Sequence, residues 1–495
     1  MTIEAAPRSL ADALRGWGDA EMVELLRARP DLLSPVPNDL AALAARAGSA
    51  PSVSRALDRL DRFALDVLEA LAVLPDPSTT EALAAALPAA QASDLANVLA
   101  RLRARALVFG PDDDLRLVRT VVEALGPTPA GLGPALAATH ERLAAALHGP
   151  GGLDAVLAEA PDGAREALDH LAWGPPHGRL DNARRPLGDP SETRTPVEWL
   201  LAQELLVAVG PDTVVLPREV GLHLRDGVVH GEARTSPTEL VTTAHDPAQV
   251  DRVAGGQAFT LVRLVETLLE AWGLEPPPVL RAGGLGVREL RRIGAVLDAD
   301  DRLTGLVLET AYAAGLVGPD GELDETFAPT PSYDLWLTRD TADRWLTLIE
   351  AWLASPRVPG AIGSRGEREK VVAPLGPDLD RPGVAEARHA ALSELAALPA
   401  GSAPNLASLT ERLDWERPRR GGRRRAETTA WTVEEAELLG LSGRGALASG
   451  ARALLAEDPA EALRLLKIVL PTPLDHVLLQ ADLTAVAPGP LESGL

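Results

Sequence analysis

The sequence predicts a mostly α (α+β) fold, built of tandem winged helix-turn-helix units with short β-hairpin wings. Three observations carry that expectation. The apolar share is 46% but aromatics are only 3%, so alanine, leucine and valine must fill the cores, and alanine and leucine favour helix. Ser, Thr and Asp caps repeatedly precede apolar residues at helical spacing. A Gly-Pro-Asp turn between short apolar runs recurs three times, each time after a helical stretch. The length of 495 residues suits three or four domains at about 150 residues each.

Residues 1–74 read as a helical, helix-turn-helix region. Two short helices are expected within 9–30. Pro37-Asn38-Asp39 is a cap signal for a helix over 40–47, and Gly48-Ser49-Ala50-Pro51 is a turn. Ser52 can cap the next helix, with Val53, Ala56, Leu57 and Leu60 at helical spacing. Ala44 allows close helix approach, and Gly48 allows the turn. Residues 75–130 form the first winged-helix unit. Thr79-Thr80 caps 81–87, Ser93-Asp94 caps 95–106, and Val108-Phe109 and Arg116-Leu117 flank Gly110-Pro111-Asp112. Residues 131–235 end on the same pattern, Val207-Ala208-Val209 and Val214-Val215-Leu216 around Gly210-Pro211-Asp212. Residues 236–354 repeat it at Gly318-Pro319-Asp320, then carry Trp345, Leu346, Ile349 and Trp352 as a core stripe on the helix 341–354. Residues 355–382, rich in Pro, Gly and mixed charge, read as a linker or extended loop. Residues 383–470 read as a helical unit with an arginine-rich loop, 406–413 belonging to a further helix-turn-helix. Residues 471–495 open with Pro471-Thr472-Pro473 and continue in a strand-like apolar run.

Much chemistry has no residues to perform it. There are no cysteines, so disulfides, zinc ribbons, iron–sulfur clusters and thiol nucleophiles are excluded. A phosphate-binding P-loop needs Gly-Lys-Ser/Thr, and the two lysines, Lys370 and Lys467, stand in other contexts. Gly283-Gly284-Leu285-Gly286 lacks the third glycine of a dinucleotide fingerprint. His140 and His148 could share a helix but have no carboxylate at metal-ligand spacing. Asp298-Ala299-Asp300-Asp301 reads as a capping turn, and Asp112-Asp113-Asp114 as a solvated acidic turn at a wing tip. No catalytic, cofactor or metal residues are therefore expected. No apolar run reaches 18 residues, so no membrane partner is expected, and residues 1–17 lack the apolar stretch of a signal peptide. A protein of the cytoplasm or the nucleoid is the expectation.

The net charge of −23 argues against non-specific coating of nucleic acid, so any DNA contact must be local. Four arginine clusters could supply one, since guanidinium groups pair bidentately with phosphate. The densest is Arg417, Arg419, Arg420, Arg423, Arg424 and Arg425, between Trp415 and Trp431. Arg101, Arg103 and Arg105 join Arg116 and Arg119 across the first predicted wing. Arg55, Arg59 and Arg62 share a face of the first helix-turn-helix, interleaved with Asp58 and Asp61 that could satisfy them within the chain. Arg288, Arg291 and Arg292 are equally ambiguous. Residues 301–350 carry ten acids against three bases, a face suited to a basic protein partner.

Two segments resemble a known family. The segment Asn38-Asp39-Leu40-Ala41-Ala42-Leu43-Ala44-Ala45-Arg46-Ala47-Gly48, followed by Pro51-Ser52-Val53-Ser54-Arg55-Ala56-Leu57-Asp58-Arg59-Leu60-Asp61-Arg62-Phe63, is similar to the start of bacterial helicase-associated proteins. The closing Asp475-His476-Val477-Leu478-Leu479-Gln480-Ala481-Asp482-Leu483-Thr484-Ala485-Val486-Ala487-Pro488-Gly489-Pro490-Leu491 is similar to the opening of a domain they share with the N-terminal region of XPB-type helicases. The resemblance implies a non-catalytic DNA-binding accessory of helicase or DNA-repair function, with DNA and a helicase or other repair or transcription protein as partners. Here the XPB-like domain is expected to be incomplete, because a lone strand cannot form it. Composition also supports an alternative: an acidic protein-interaction scaffold, or a transcription regulator, built from winged helices.

Overall fold

Local capping chemistry sets most helix starts. Side-chain oxygens of Ser9, Asp39, Asp61, Thr79, Thr195, Asp300 and Asp340 each accept an orphan amide two or three residues into a helix. In the computed structural model the sheets among the described residues are small and antiparallel. The structure describes residues 7–185, 189–321, 325–365 and 371–471, and the strands Leu478–Leu479 and Ala485–Val486, which pair with each other. The Gln480–Thr484 motif lies outside the described residues. No helix among the described residues is long and apolar enough to cross a membrane. The chain divides into two compact units, residues 1–237 with 415–419, and residues 238–414 with 420–495.

The first unit opens with helices Leu10–Arg15, Asp19–Ala28, Leu40–Ala47 and Ala50–Leu57. They enclose Leu14, Leu25, Leu32, Leu43 and Ala47. Arg29 is buried among them and bonds to the carbonyls of Ala47 (2.8 Å) and Arg105 (3.0 Å) and to Ser52 Oγ (2.6 Å). Burial lowers its pKa to about 10, although Asp31 opposes the shift.

One succession of elements then occurs four times, the second copy carrying the 3-10 turn Pro190–Glu192 where the others have a middle helix. The first repeat has helix Arg62–Val73, a bridge from Ser78 to Leu115, helices Thr80–Ala86 and Ala92–Ala104, and the hairpin Val108–Phe109 with Arg116–Leu117. Gly110 is required in this hairpin: its φ is +92°, and a Cβ there would lie 2.1 Å from the Asp114 carbonyl oxygen. The second repeat has helix Ala164–Ala172, strand His177–Arg179, helix Pro196–Ala202, and strands Val207–Ala208 and Thr213–Val215. Thr213–Val215 lies in the middle of the three-stranded sheet.

The second unit holds the other two. The third repeat has helix Pro247–Leu274, a bridge from Pro278 to Thr326, helices Val287–Leu297 and Asp301–Ala313, and the hairpin Val317–Pro319 with Phe327–Pro329. The fourth has helix Val384–Ala397, strand Ser402–Pro404, helices Leu406–Glu416 and Arg423–Leu438, and the hairpin Ser442–Gly443 with Ala446–Leu447. Its leading strand pairs with Thr242–Ala244. Trp272, Trp336, Trp345 and Trp352 are fully buried in the core of this unit, so the tryptophan stripe on Thr341–Ala354 is a packing face.

Two expectations change. The described parts of 355–382, residues 355–365 and 371–382, are packed, because Val358, Ala361, Val372 and Leu379 form a small core with Val384. The arginine-rich stretch is not a loop throughout: Pro418–Arg420 is a 3-10 turn, and Arg423, Arg424 and Arg425 open a 16-residue helix. Gly422, at φ +93°, supplies the bend between them.

Candidate nucleic-acid interface

The arginines expected to meet DNA mostly face carboxylates of their own chain. In the first unit Arg101 pairs with Asp61, and Arg103 with Asp112 at 2.7 Å. Arg116 pairs with Asp114 at 3.0 Å, and Arg119 with Glu123 at 3.3 Å. Arg419 Nε lies 3.2 Å from Asp58, while its Nη1 donates to the Ala124 carbonyl at 3.2 Å. Arg62 pairs with Asp66 rather than with Asp58. Arg105 donates to the Arg101 carbonyl, and burial lowers its pKa, helped by the nearby Arg101. Arg59, Asp61 and Glu24 also act electrostatically on Arg105, so Arg59, Arg101 and Arg105 do gather, with acids among them. Arg55 and Arg59 are exposed, and among the described residues neither has a carboxylate partner.

In the second unit Arg420 pairs with Glu386 at 2.8 Å, and Arg423 with Glu427 at 2.8 Å. Arg425 is turned inward, donating to the Leu413 carbonyl at 2.6 Å with Asp414 4.0 Å away. Arg417 and Arg424 are not free either. Arg292 bridges Glu275 and Glu289, each at 2.7 Å, and Arg291 faces Asp301 at 3.8 Å.

Helix exposure limits the interface further. The third helix of a winged unit reads a DNA groove only if one face is bare. In the third repeat that helix, Asp301–Ala313, is buried at every position from Thr304 to Ala311. In the fourth, Arg423–Leu438 keeps Glu434 exposed in its later half, while Thr429, Thr432, Glu435 and Ala436 are buried.

A second group of polar residues escaped the sequence reading. Asp66 and Glu69, one turn apart on helix Arg62–Val73, meet His230 from the segment after helix Arg218–Leu224. Next to them lies an open cleft of about 510 Å³, lined by Ala130, Trp173, Arg225, Val229 and His230. Arg225 is buried there, 4.6 Å from the Trp173 ring, and bonds to the carbonyls of Ala172, Ala130 and Val229. Asp66 and Glu69 read as one more acidic helix face, and no spacing in the sequence links them to His230. Comparison with family models, curated proteins and solved structures finds no match.

Proposed function

We propose that this chain is a non-catalytic protein-interaction scaffold of four winged-helix units. The order of helix, strand or bridge, helix, helix and hairpin, complete in three repeats and one helix short in the second, supports the winged-helix reading. One observation carries the functional choice: Arg101, Arg116, Arg119, Arg419, Arg420 and Arg423 each already hold a carboxylate. Exposed pairs of this kind are worth only about 0–1 kcal/mol each, so their strength is not the obstacle. The obstacle is the acid that stays beside any phosphate the arginine accepts, on a body of net charge −23. A protein surface with basic side chains fits such a face better than a polyanion does.

The family resemblance names the partner class, a helicase or another repair or transcription protein, in the cytoplasm or at the nucleoid. A second reading, a DNA-binding accessory, is favoured by Arg55 and Arg59, which are exposed, Arg59 beside Arg101 and Arg105. Titration of labelled duplex and single-stranded DNA at about 50 and 200 mM salt separates the two. The scaffold reading expects no saturable binding at the higher salt, together with a helicase that co-purifies and survives nuclease treatment. Affinity that falls steeply with salt, and is lost in Arg55→Ala/Arg59→Ala, would replace it with the DNA reading.

A further inference from the structure

We propose that Asp66, Glu69 and His230 form a binding site for one divalent first-row metal ion, with Zn²⁺ as the probe ion. The donor set is two carboxylates and one imidazole, whose candidate ligand atoms all lie within 4.8 Å of one another. His230 Nε2 is 3.0 Å from Glu69 Oε2 and 3.8 Å from Asp66 Oδ1. Ligands about 2.0–2.2 Å from a shared zinc ion stand about 3–3.5 Å apart, so His230 and Glu69 already have the spacing of a common coordination sphere, and Asp66 has to close in by a few tenths of an ångström.

The orientation points the same way. Asp66 is 3% exposed, and its Oδ1 and His230 Nε2 are both buried without a hydrogen bond, even though Arg62 Nε is 2.8 Å from that oxygen. Two groups bridged by a proton aim at each other. Ligands of one ion aim at a third point, which leaves each off the other's axis. A divalent ion would also balance the two carboxylates, whose burial otherwise has only the half-exposed Arg62 and the imidazole to offset it.

The surroundings hold the donors in place. Ala130 N donates to Glu69 Oε2 at 3.2 Å, and the Arg62 guanidinium lies 2.8 Å from Asp66 Oδ1. His230 follows the buried Val229, whose amide bonds to the Ala86 carbonyl and whose carbonyl accepts from Arg225. Such outer partners fix ligand orientation in metal sites. His230 also lines the cleft beside Trp173, which offers an ion a path in from solvent.

The test uses the full chain, stripped with chelator and dialysed, then titrated with Zn²⁺ against a chromophoric competitor. One ion per chain is expected, along with a rise in melting temperature. His230→Gln and Glu69→Gln should each weaken binding more than about 100-fold, beyond the cost of losing an outer partner, and abolish the zinc-induced rise. His148→Gln, on an exposed helix end, should leave both unchanged. Circular dichroism checks that each variant folds, and the two ligand variants guard against failure of either one. No stoichiometric uptake, retained binding in both folded ligand variants, or equal loss in His148→Gln overturns the proposal.

Discussion

If resident carboxylates keep DNA away, removing them should let it in. Asp58 and Asp61 suit the test because each holds an arginine of the first unit, Arg419 and Arg101 respectively. Asparagine is nearly isosteric with both. At position 61 it keeps the cap that Asp61 gives to the Ala64 amide at 2.8 Å. At position 58 it removes a negative charge from the C-terminal end of helix Ala50–Leu57, where the helix dipole disfavours one. The fold should therefore tolerate Asp58→Asn/Asp61→Asn. A phosphate accepted by either guanidinium would sit roughly 5 Å from the retained carboxylate, a repulsion of about 0.8 kcal/mol in water. Relieving both gives about 1.7 kcal/mol, or a ~15-fold gain in affinity at low salt. Fluorescence anisotropy with a labelled duplex at about 50 mM salt reads the gain, and repetition at 200 mM should shrink it through screening. An unchanged dissociation constant in the folded double variant would refute the account, and so would tight binding by the parent protein.

Three further outcomes follow from the buried and strained groups. Glu309 has a 1% exposed side chain paired with Arg357, so Arg357→Ala should cost about 3–5 kcal/mol in denaturant unfolding by stranding that carboxylate. Gly110→Ala should cost about 2 kcal/mol or more, because alanine meets both the positive φ and the Asp114 carbonyl; an unchanged urea midpoint would contradict it. Burial alone would raise the Asp340 pKa, but the hydrogen bond from Lys467 at 2.7 Å and the helix-cap amide outweigh it and hold the pKa at about 2. The folded pKa is depressed, so the stabilisation is present above about pH 4 and lost as pH falls toward 2. Lys467→Met should flatten that acid limb in a circular dichroism titration.

The sequence made the fold legible wherever local chemistry decides it. Gly110, Gly210 and Gly318 with their Pro-Asp neighbours marked three hairpins, because a turn's backbone demands are written in adjacent residues. The fourth hairpin escaped because its turn, Arg444-Gly445, stands without proline or aspartate. Arg444 adopts φ +56° there, which no propensity rule anticipates for arginine. Pro418 and the Gly421-Gly422 pair suggested a loop, yet Gly422 bends the chain directly into a helix start. The interface was less legible still. Arg419 meets Asp58 and Trp415 Nε1 meets the Arg234 carbonyl, contacts between distant stretches that only the tertiary fold creates. The same holds for His230 beside Asp66 and Glu69.

The repeats also differ in what their third helices are free to do, and that difference bears on function more than the shared topology does. Ala92–Ala104 keeps Ala92, Ser93, Ala96, Asn97, Ala100 and Arg101 exposed, an almost uncharged face of small side chains. Pro196–Ala202 spans only seven residues and contributes Glu198, which is spent on its own capping box and on Arg185. Asp301–Ala313 is enclosed. Arg423–Leu438 places three arginines in its first turn, where the helix dipole opposes positive charge. Neutralising partners at Glu427 and Asp414 offset that local cost. Tandem groove readers would each need a bare, basic third helix, and these four units present none.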